Sequence, residues 1–308
     1  MGDYTKMWTE LGLDLKGHDA LLSVLGGAYT NIFLSQKNRP EGMRYFDFVM
    51  SEVHGLRIQE LMDAKAQGRK VIGSYCVFVP EELILAVDGV SVGLCAGAEF
   101  NFEGAETMLP RNTCALIKSA FGFKLGQVCP YLEASDVVVG ENTCDGKKKS
   151  YEMLAPLVKD LYVMDMPQMK SESGRTLLKE EYRKLIDKLE KVSGKKVTVE
   201  SLKKGIDIVN AKRAAVRRLT ELRAADPAPI SGLDALLVNQ VFFYDDPVRF
   251  TDSVNKLCDE LEERVKKGVG VFPKGTTRVI VSGCPMAVPN WKLPMLIESV
   301  NAVIVGEE

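Results

Sequence analysis

Residues 136–154 read DVVVGENTCDGKKKSYEML. A short β-branched run, 136–139, is followed by Gly140 and a polar turn, and then by a helical stretch through Lys149, Tyr151, Glu152 and Leu154. Three consecutive valines, 137–139, without polar alternation predict a buried strand. Asp145 is placed to cap the helix. A buried strand leading through a tight turn into a helix is the repeating unit of a doubly wound parallel sheet. In such sheets, ligands gather in the loops at the carboxyl ends of the strands. Cys144 falls in that loop.

The same pattern recurs on either side. Apolar runs at 70–79, 90–94, 161–164, 277–282 and 302–305 predict further strands. Pro80-Glu81-Glu82 opens a helix, with Pro at its first position and acids in its first turn. Asn112 or Thr113 caps another that runs to Phe121. The first 70 residues read as helical, with 46–70 amphipathic. A helical middle follows the first strands, through 177–192 closed by Gly194, 199–225 capped by Thr198, a segment after Ser231, and a helix from Asp245-Asp246-Pro247 to Lys267. The expected fold class is α/β, divided near residue 170. Residues 1–170 hold N-terminal helices and a first parallel-sheet domain; 171–308 hold a helical region, bridging to or covering a second α/β unit, and that unit itself. The sequence ends on AVIVGEE, a strand and the start of a loop, which reads as a fragment cut where a functional loop would begin.

The 308 residues carry a net charge of −2, which argues against a nucleic-acid partner. No apolar run reaches the roughly 18–20 residues of a membrane span, and the N-terminus has no leader pattern, so a cytoplasmic location is expected. Seven cysteines stand against two histidines, His18 and His54. Structural disulfides are disfavoured in a cytosol, and scarce histidine argues against a His-rich metal site. Buried thiols, a redox pair and thiolate ligation of zinc or an iron–sulfur cluster remain. Five of the seven lie between 76 and 144, which favours a shared site.

Position sorts them. Cys144 and Cys114 sit at helix starts, where the dipole and free N–H groups favour a thiolate. A helix-terminal reactive thiol without metal is the bland alternative. Cys284 follows a strand in SGCPM, and Cys129 precedes a proline in QVCPY. Cys76 lies within a strand pattern and Cys95 just after one; both are weaker candidates. Cys258 lies on the apolar face of a helix and reads as a core thiol. Lys147, Lys148 and Lys149 add positive potential beside Cys144, although a solvated lysine run is the commoner meaning. No GxGxxG, GxxxxGK[ST] or GxSxG motif is present, and no catalytic residue is assigned.

Four segments carry a family resemblance: GSYCVFVPEELILAVDGVSVGL (73–94), LPRNTCALIKSAFG (109–122), DVVVGENTCDGKKKSYEML (136–154) and RVIVSGCPMAVPNWKLPMLIESVNAVIVGEE (278–308). They resemble the components of the 2-hydroxyacyl-CoA dehydratase and benzoyl-CoA reductase superfamily, over roughly residues 45–308. The resemblance implies two Rossmann-like domains with a helical connecting region around a [4Fe–4S] cluster held by three cysteines. An ATP-hydrolysing activator with its own iron–sulfur cluster supplies a low-potential electron. Cys114 and Cys144 match the first two cluster ligands; the third lies in the loop after the last strand. Cys129 and Cys284 are additional, and resemble the extra ligands of the double-cubane cluster proteins, which are anaerobic homodimers. Six thiolates would serve such a cluster: these four cysteines, with the rest from a tail after the last strand or with Cys76 or Cys95 contributing instead. The implied function is an oxidoreductase that reduces small molecules at a double-cubane [8Fe–9S] cluster. An (R)-2-hydroxyacyl-CoA dehydratase subunit with a [4Fe–4S] cluster is the alternative. A non-catalytic metal-binding module or degenerate fragment is a third reading.

Overall fold

The structure is a computed structural model that describes residues 3–75, 77–283 and 286–307. Four helices come first: α1 (Thr5–Glu10), α2 (Leu15–Tyr29), α3 (Met43–Ser51) and α4 (Leu56–Ala66). The expected 46–70 helix is thus two helices, broken at 52–55, where Gly55 leaves helical backbone angles. Next follow β1 (Val71–Ser74), α5 (Glu81–Ala86), β2 (Val90–Gly93), α6 (Phe102–Glu106), α7 (Ala115–Leu125) and α8 (Pro130–Ala134). Then come β3 (Val137–Glu141), α9 (Asp145–Leu154) and β4 (Leu161–Met164). The long helices are α10 (Glu172–Ser193), α11 (Val199–Leu222), α12 (Gly232–Val241) and α13 (Pro247–Lys266). The chain finishes with β5 (Thr277–Val281), α14 (Lys292–Ser299) and β6 (Ala302–Glu307). Each of the six expected strands is present, and the fold is α/β with parallel sheets.

Two compact units emerge. One comprises Met1–Ala20 and His54–Asp207, the other Leu21–Val53 and Ile208–Glu308, so the division falls within α2 and α11. In the first unit the sheet order is β2-β1-β3-β4, all parallel. Register pairs Ile72 with Val137 and Ser74 with Val139. Ile72, Val137, Val139 and Met164 form a core with Leu83 and Ile84 of α5 and Leu185 and Leu189 of α10. α10 therefore buries its apolar stripe against the first sheet. On fully burying such side chains each contributes about 1.5–3 kcal/mol. β1 is shorter than its apolar run: Tyr75 N–H donates to Val139 O (2.9 Å), and the chain turns before Pro80.

In the second unit β5 and β6 pair in parallel. Its core centres on Phe33, Phe46, Phe250, Leu257 and Trp291, all 2% exposed or less. Cys258 is part of that core, as its place on the helix predicts, and burial pushes its thiol up to about 11. Lys212 is buried with its ammonium 3.7 Å from the Phe242 ring centre, a cation–π contact that offsets the cost of burying the charge. Among the described residues no helix is long and apolar enough to cross a membrane.

Candidate functional site

In the first sheet the connection from β1 runs to β2 on one side, and that from β3 to β4 on the other. The carboxyl ends of β1 and β3 therefore flank a topological switch point, the place where open α/β sheets bind ligands. Two loops leave that point: 75–80 after β1, and 142–144 after β3. The second delivers Cys144.

Three helices of this unit begin on a cysteine. Cys114 is the N-cap of α7, Cys129 of α8 and Cys144 of α9, and none makes a side-chain capping hydrogen bond. The caps expected at Asn112 or Thr113, and at Asp145, are each displaced by a residue or two onto the cysteine itself. A first turn has N–H groups with no helical partner. A thiol is a weak acceptor, so at Cys114 and Cys144 those groups stay available to an anionic ligand. Both thiols are exposed.

The two helix starts meet. α7 packs on α9, and the space above Gly146 is shared: a Cβ there would lie 2.8 Å from Ile117 Cδ1 and 3.8 Å from Cys144 Sγ. Ile117 lies one turn beyond Cys114. The loop before Cys114 is tied to α7 by the next residues of the motif. Lys118 Nζ donates to Glu106 Oε1 (2.8 Å) and Arg111 O (3.0 Å), and sits 4.8 Å from the Phe102 ring centre. Ser119 Oγ donates to Ala98 O (2.7 Å) and accepts from Ala98 N (3.2 Å). Gly122 lets the loop cross, because a Cβ there would overlap Phe100 O. The Cys-Ala-Leu-Ile-Lys-Ser segment thus carries its cysteine and the two side chains that hold the preceding loop in place.

The 142–144 loop is equally constrained. Glu141, fully buried at the end of β3, accepts from Thr143 N on Oε2 (2.7 Å), and its Oε1 is ion-paired with Lys147. Its backbone N–H donates to the Tyr151 hydroxyl (3.0 Å), which donates to Glu141 O (3.1 Å). The Tyr151 ring fills the space above Gly140, where a Cβ would overlap it. Asn142 Nδ2 donates to Asp165 Oδ1 (2.6 Å), and Asn142 Oδ1 accepts from Met166 N (2.8 Å), tying the loop to the end of β4. Of the lysine run, Lys147 pairs with Glu141, and Lys149 lies 3.8 Å from Glu152 with both side chains exposed. The charge of Lys147 is thereby compensated, while the exposed Lys149–Glu152 pair offsets little.

Cys129 and Cys95 form a second group. Both act electrostatically on buried Tyr75, whose phenol is held well above its usual range, chiefly by burial. Burial also pushes the Cys129 thiol up to about 11. Among the described residues, no three His, Cys, Asp or Glu side chains gather closely enough to hold a metal ion. Cys76 and Cys284 lie outside the described residues. Sequence reading assigns no role to Glu141, Tyr75 or Tyr151; the only signal for the first two is a charged or phenolic residue at the end of an apolar strand, and Tyr151 reads only as a residue of the following helix.

The donor chemistry fits a thiolate-bound group at Cys114 and Cys144, two exposed thiols on touching helix starts with N–H groups to spare. Fold and site together describe an α/β protein with cysteine-capped helices around a sheet's switch point. The model of the 2-hydroxyglutaryl-CoA dehydratase D-component family matches residues 76–308, and the chain belongs to that family. It is 34% identical over 260 residues to "Putative dehydratase subunit YjiM" of Escherichia coli (strain K12), covering 84% of this chain and 67% of that protein. It is 28% identical to the (R)-phenyllactyl-CoA dehydratase beta subunit of Clostridium sporogenes, over 78% of this chain and 62% of the relative. It is 25% identical to one of the benzoyl-CoA reductase subunits of Thauera aromatica, over 78% of this chain and 61% of the relative. The chain thus spans about two thirds or less of each of these relatives.

Proposed function

We propose that this chain is the iron–sulfur component of an electron-driven enzyme, with Cys114 and Cys144 as cluster ligands. The observation that carries the reading is the pair of exposed cysteine caps on helices whose first turns touch, beside the switch point of a parallel sheet. A bound cluster would supply low-potential electrons for reductive chemistry. The residues of this chain would do the rest. The first-turn N–H groups of α7 and α9 would face the thiolates and offset their charge. Lys118 and Ser119 would fix the approach to Cys114, and Glu141 the approach to Cys144. The electrons would come from an ATP-hydrolysing activator protein in the cytoplasm.

The finer reading is a homodimeric reductase of small molecules that holds a double-cubane cluster. It adds Cys129 and Cys284 as ligands, with Cys76 or Cys95 as further candidates. Cys129, half-buried and with its pKa pushed up to about 11, would have to lose its proton to the metal, as coordinated thiols do. The second reading is a 2-hydroxyacyl-CoA dehydratase subunit with a [4Fe–4S] cluster and a different partner subunit. The names of the E. coli and C. sporogenes relatives favour it.

Iron and acid-labile sulfide, measured per chain on anaerobically purified protein, test these readings. About eight irons per chain support the double-cubane form, and about four support the dehydratase form. Absence of both elements overturns the proposal.

A further inference from the structure

The buried carboxylate at the end of β3 has a second consequence, which rests on the proposed cluster at Cys144. Glu141 is fully buried, and its pairing with Lys147 places two opposite charges within one turn of Cys144, one on each side in sequence. Lys147 is itself only 20% exposed. The carboxylate also accepts from Thr143 N, the residue before the cysteine. The pair therefore flanks the cysteine in sequence and holds the residue before it, and water screens its charges poorly. A cluster's reduction potential follows the net charge around it and the hydrogen bonds to its ligands. Helix starts and lysines lower the cost of adding an electron; a buried carboxylate raises it.

We propose that the Glu141–Lys147 pair is a positioning element that sets the potential of the cluster held by Cys144, by cancelling the charge of the lysine closest to it in sequence. Glu141 keeps the 142–144 loop in place and prevents Lys147 from acting as an uncompensated cation. Among the described residues Lys148 and Lys149, on the same turn, make no such buried pair; Lys149 meets exposed Glu152. The potential is thereby kept low, as a strongly reducing centre requires, although the cluster sits at two helix N-termini that would by themselves raise it.

The test is redox potentiometry, followed by electron paramagnetic resonance, on the anaerobically purified protein and three variants. Glu141→Gln retains an oxygen to accept from Thr143 N but removes the negative charge; its midpoint potential should move up. Lys147→Gln leaves Glu141 bonded to Thr143 N and removes the positive charge; its potential should move down. The double variant should return close to the wild type. Opposite shifts that cancel in the double variant support the proposal, because a purely structural role would not reverse sign. Unchanged potentials in iron-loaded variants, or shifts of the same sign, overturn it. If Glu141→Gln folds but does not retain iron, Lys147→Gln alone decides by the direction of its shift. A wild-type protein without iron removes the cluster reading itself, a distinct result from iron-loaded variants with unmoved potentials.

Discussion

Six helices of this chain answer their first N–H groups in two different ways. α10, α12 and α13 use Ser171, Ser231 and Asp246, whose oxygens accept from Gly174 N, Asp234 N, and Val248 N with Arg249 N. α7, α8 and α9 place a cysteine at the same position and make no side-chain capping bond. The first group is closed: its polar ends are satisfied within the chain, and the helices serve packing. At Cys114 and Cys144 the second group is open, with an exposed thiol and N–H groups facing outward. Local stability has been given up at the two positions proposed as cluster ligands.

The largest effect is expected where the open helices are positioned. Gly122→Ala drives a methyl group into the Phe100 carbonyl, a backbone atom that cannot swing aside. It should cost about 3 kcal/mol or more in urea unfolding, at the upper end for overpacking. A loss below about 1 kcal/mol would mean that the 96–113 loop is not held as described.

Next comes thiol reactivity, which separates the cysteine caps from one another. In metal-free protein at neutral pH, Cys114 and Cys144 should alkylate first. Cys129 and Cys258, both pushed to about 11 by burial, should carry about 100-fold less thiolate than an ordinary thiol with a pKa of 9.0. Peptide mapping after timed iodoacetamide treatment reads the order. Equal rates at Cys129 and Cys144 would contradict the upward shift of the Cys129 thiol.

The capping contrast itself has a direct test. Asp246→Ala should cost about 1–2 kcal/mol, and Ser171→Ala and Ser231→Ala about 1 kcal/mol each. Cys114→Ala and Cys144→Ala, measured without metal, should change stability by less than about 0.5 kcal/mol. Comparable losses at serine and cysteine caps would remove the distinction.

A pH-dependent effect lies away from both groups. The two histidines, far apart in sequence, meet: His18 Nε2 and His54 Nδ1 are 3.0 Å apart, with Trp8 Nε1 donating to His54 O. Burial is the main cause that lowers His54 from 6.5 to about 3, and His18 is lowered as well. Below pH 6.5 the unfolded chain binds the proton that the folded chain refuses, so stability falls as pH drops towards 3. Asp14, Asp19 and Tyr131 also lie around this pair, and Asp19 opposes the shift at His18. His54→Phe should flatten the decline in urea midpoint between pH 6.5 and 4. An unchanged slope would assign the decline to other groups.

Much of this was readable from the sequence. The strands are short apolar runs between turn residues, and all six appear in order. Ser231, Asp246 and Thr198 cap where their chemistry predicts, and Gly194 closes α10 in the left-handed conformation. The cysteine caps were misread because Asn112, Thr113 and Asp145 are the stronger capping residues; the chain instead spends the cap position on a thiol. Glu141 was hidden because a charged residue at the end of an apolar strand reads as a loop residue. Only the three-dimensional return of Lys147 and Thr143 makes it a buried anchor. The His18–His54 pair and α10's place on the first sheet depend on tertiary packing that no local period encodes.

The central claim is that Cys114 and Cys144 hold an iron–sulfur cluster together. Iron and acid-labile sulfide should be measured in anaerobically purified wild type, Cys114→Ser, Cys144→Ser and Cys258→Ser. The account predicts bound iron in wild type and Cys258→Ser, and loss of most of it in each of the other two. Iron retained undiminished in Cys114→Ser and Cys144→Ser would contradict it.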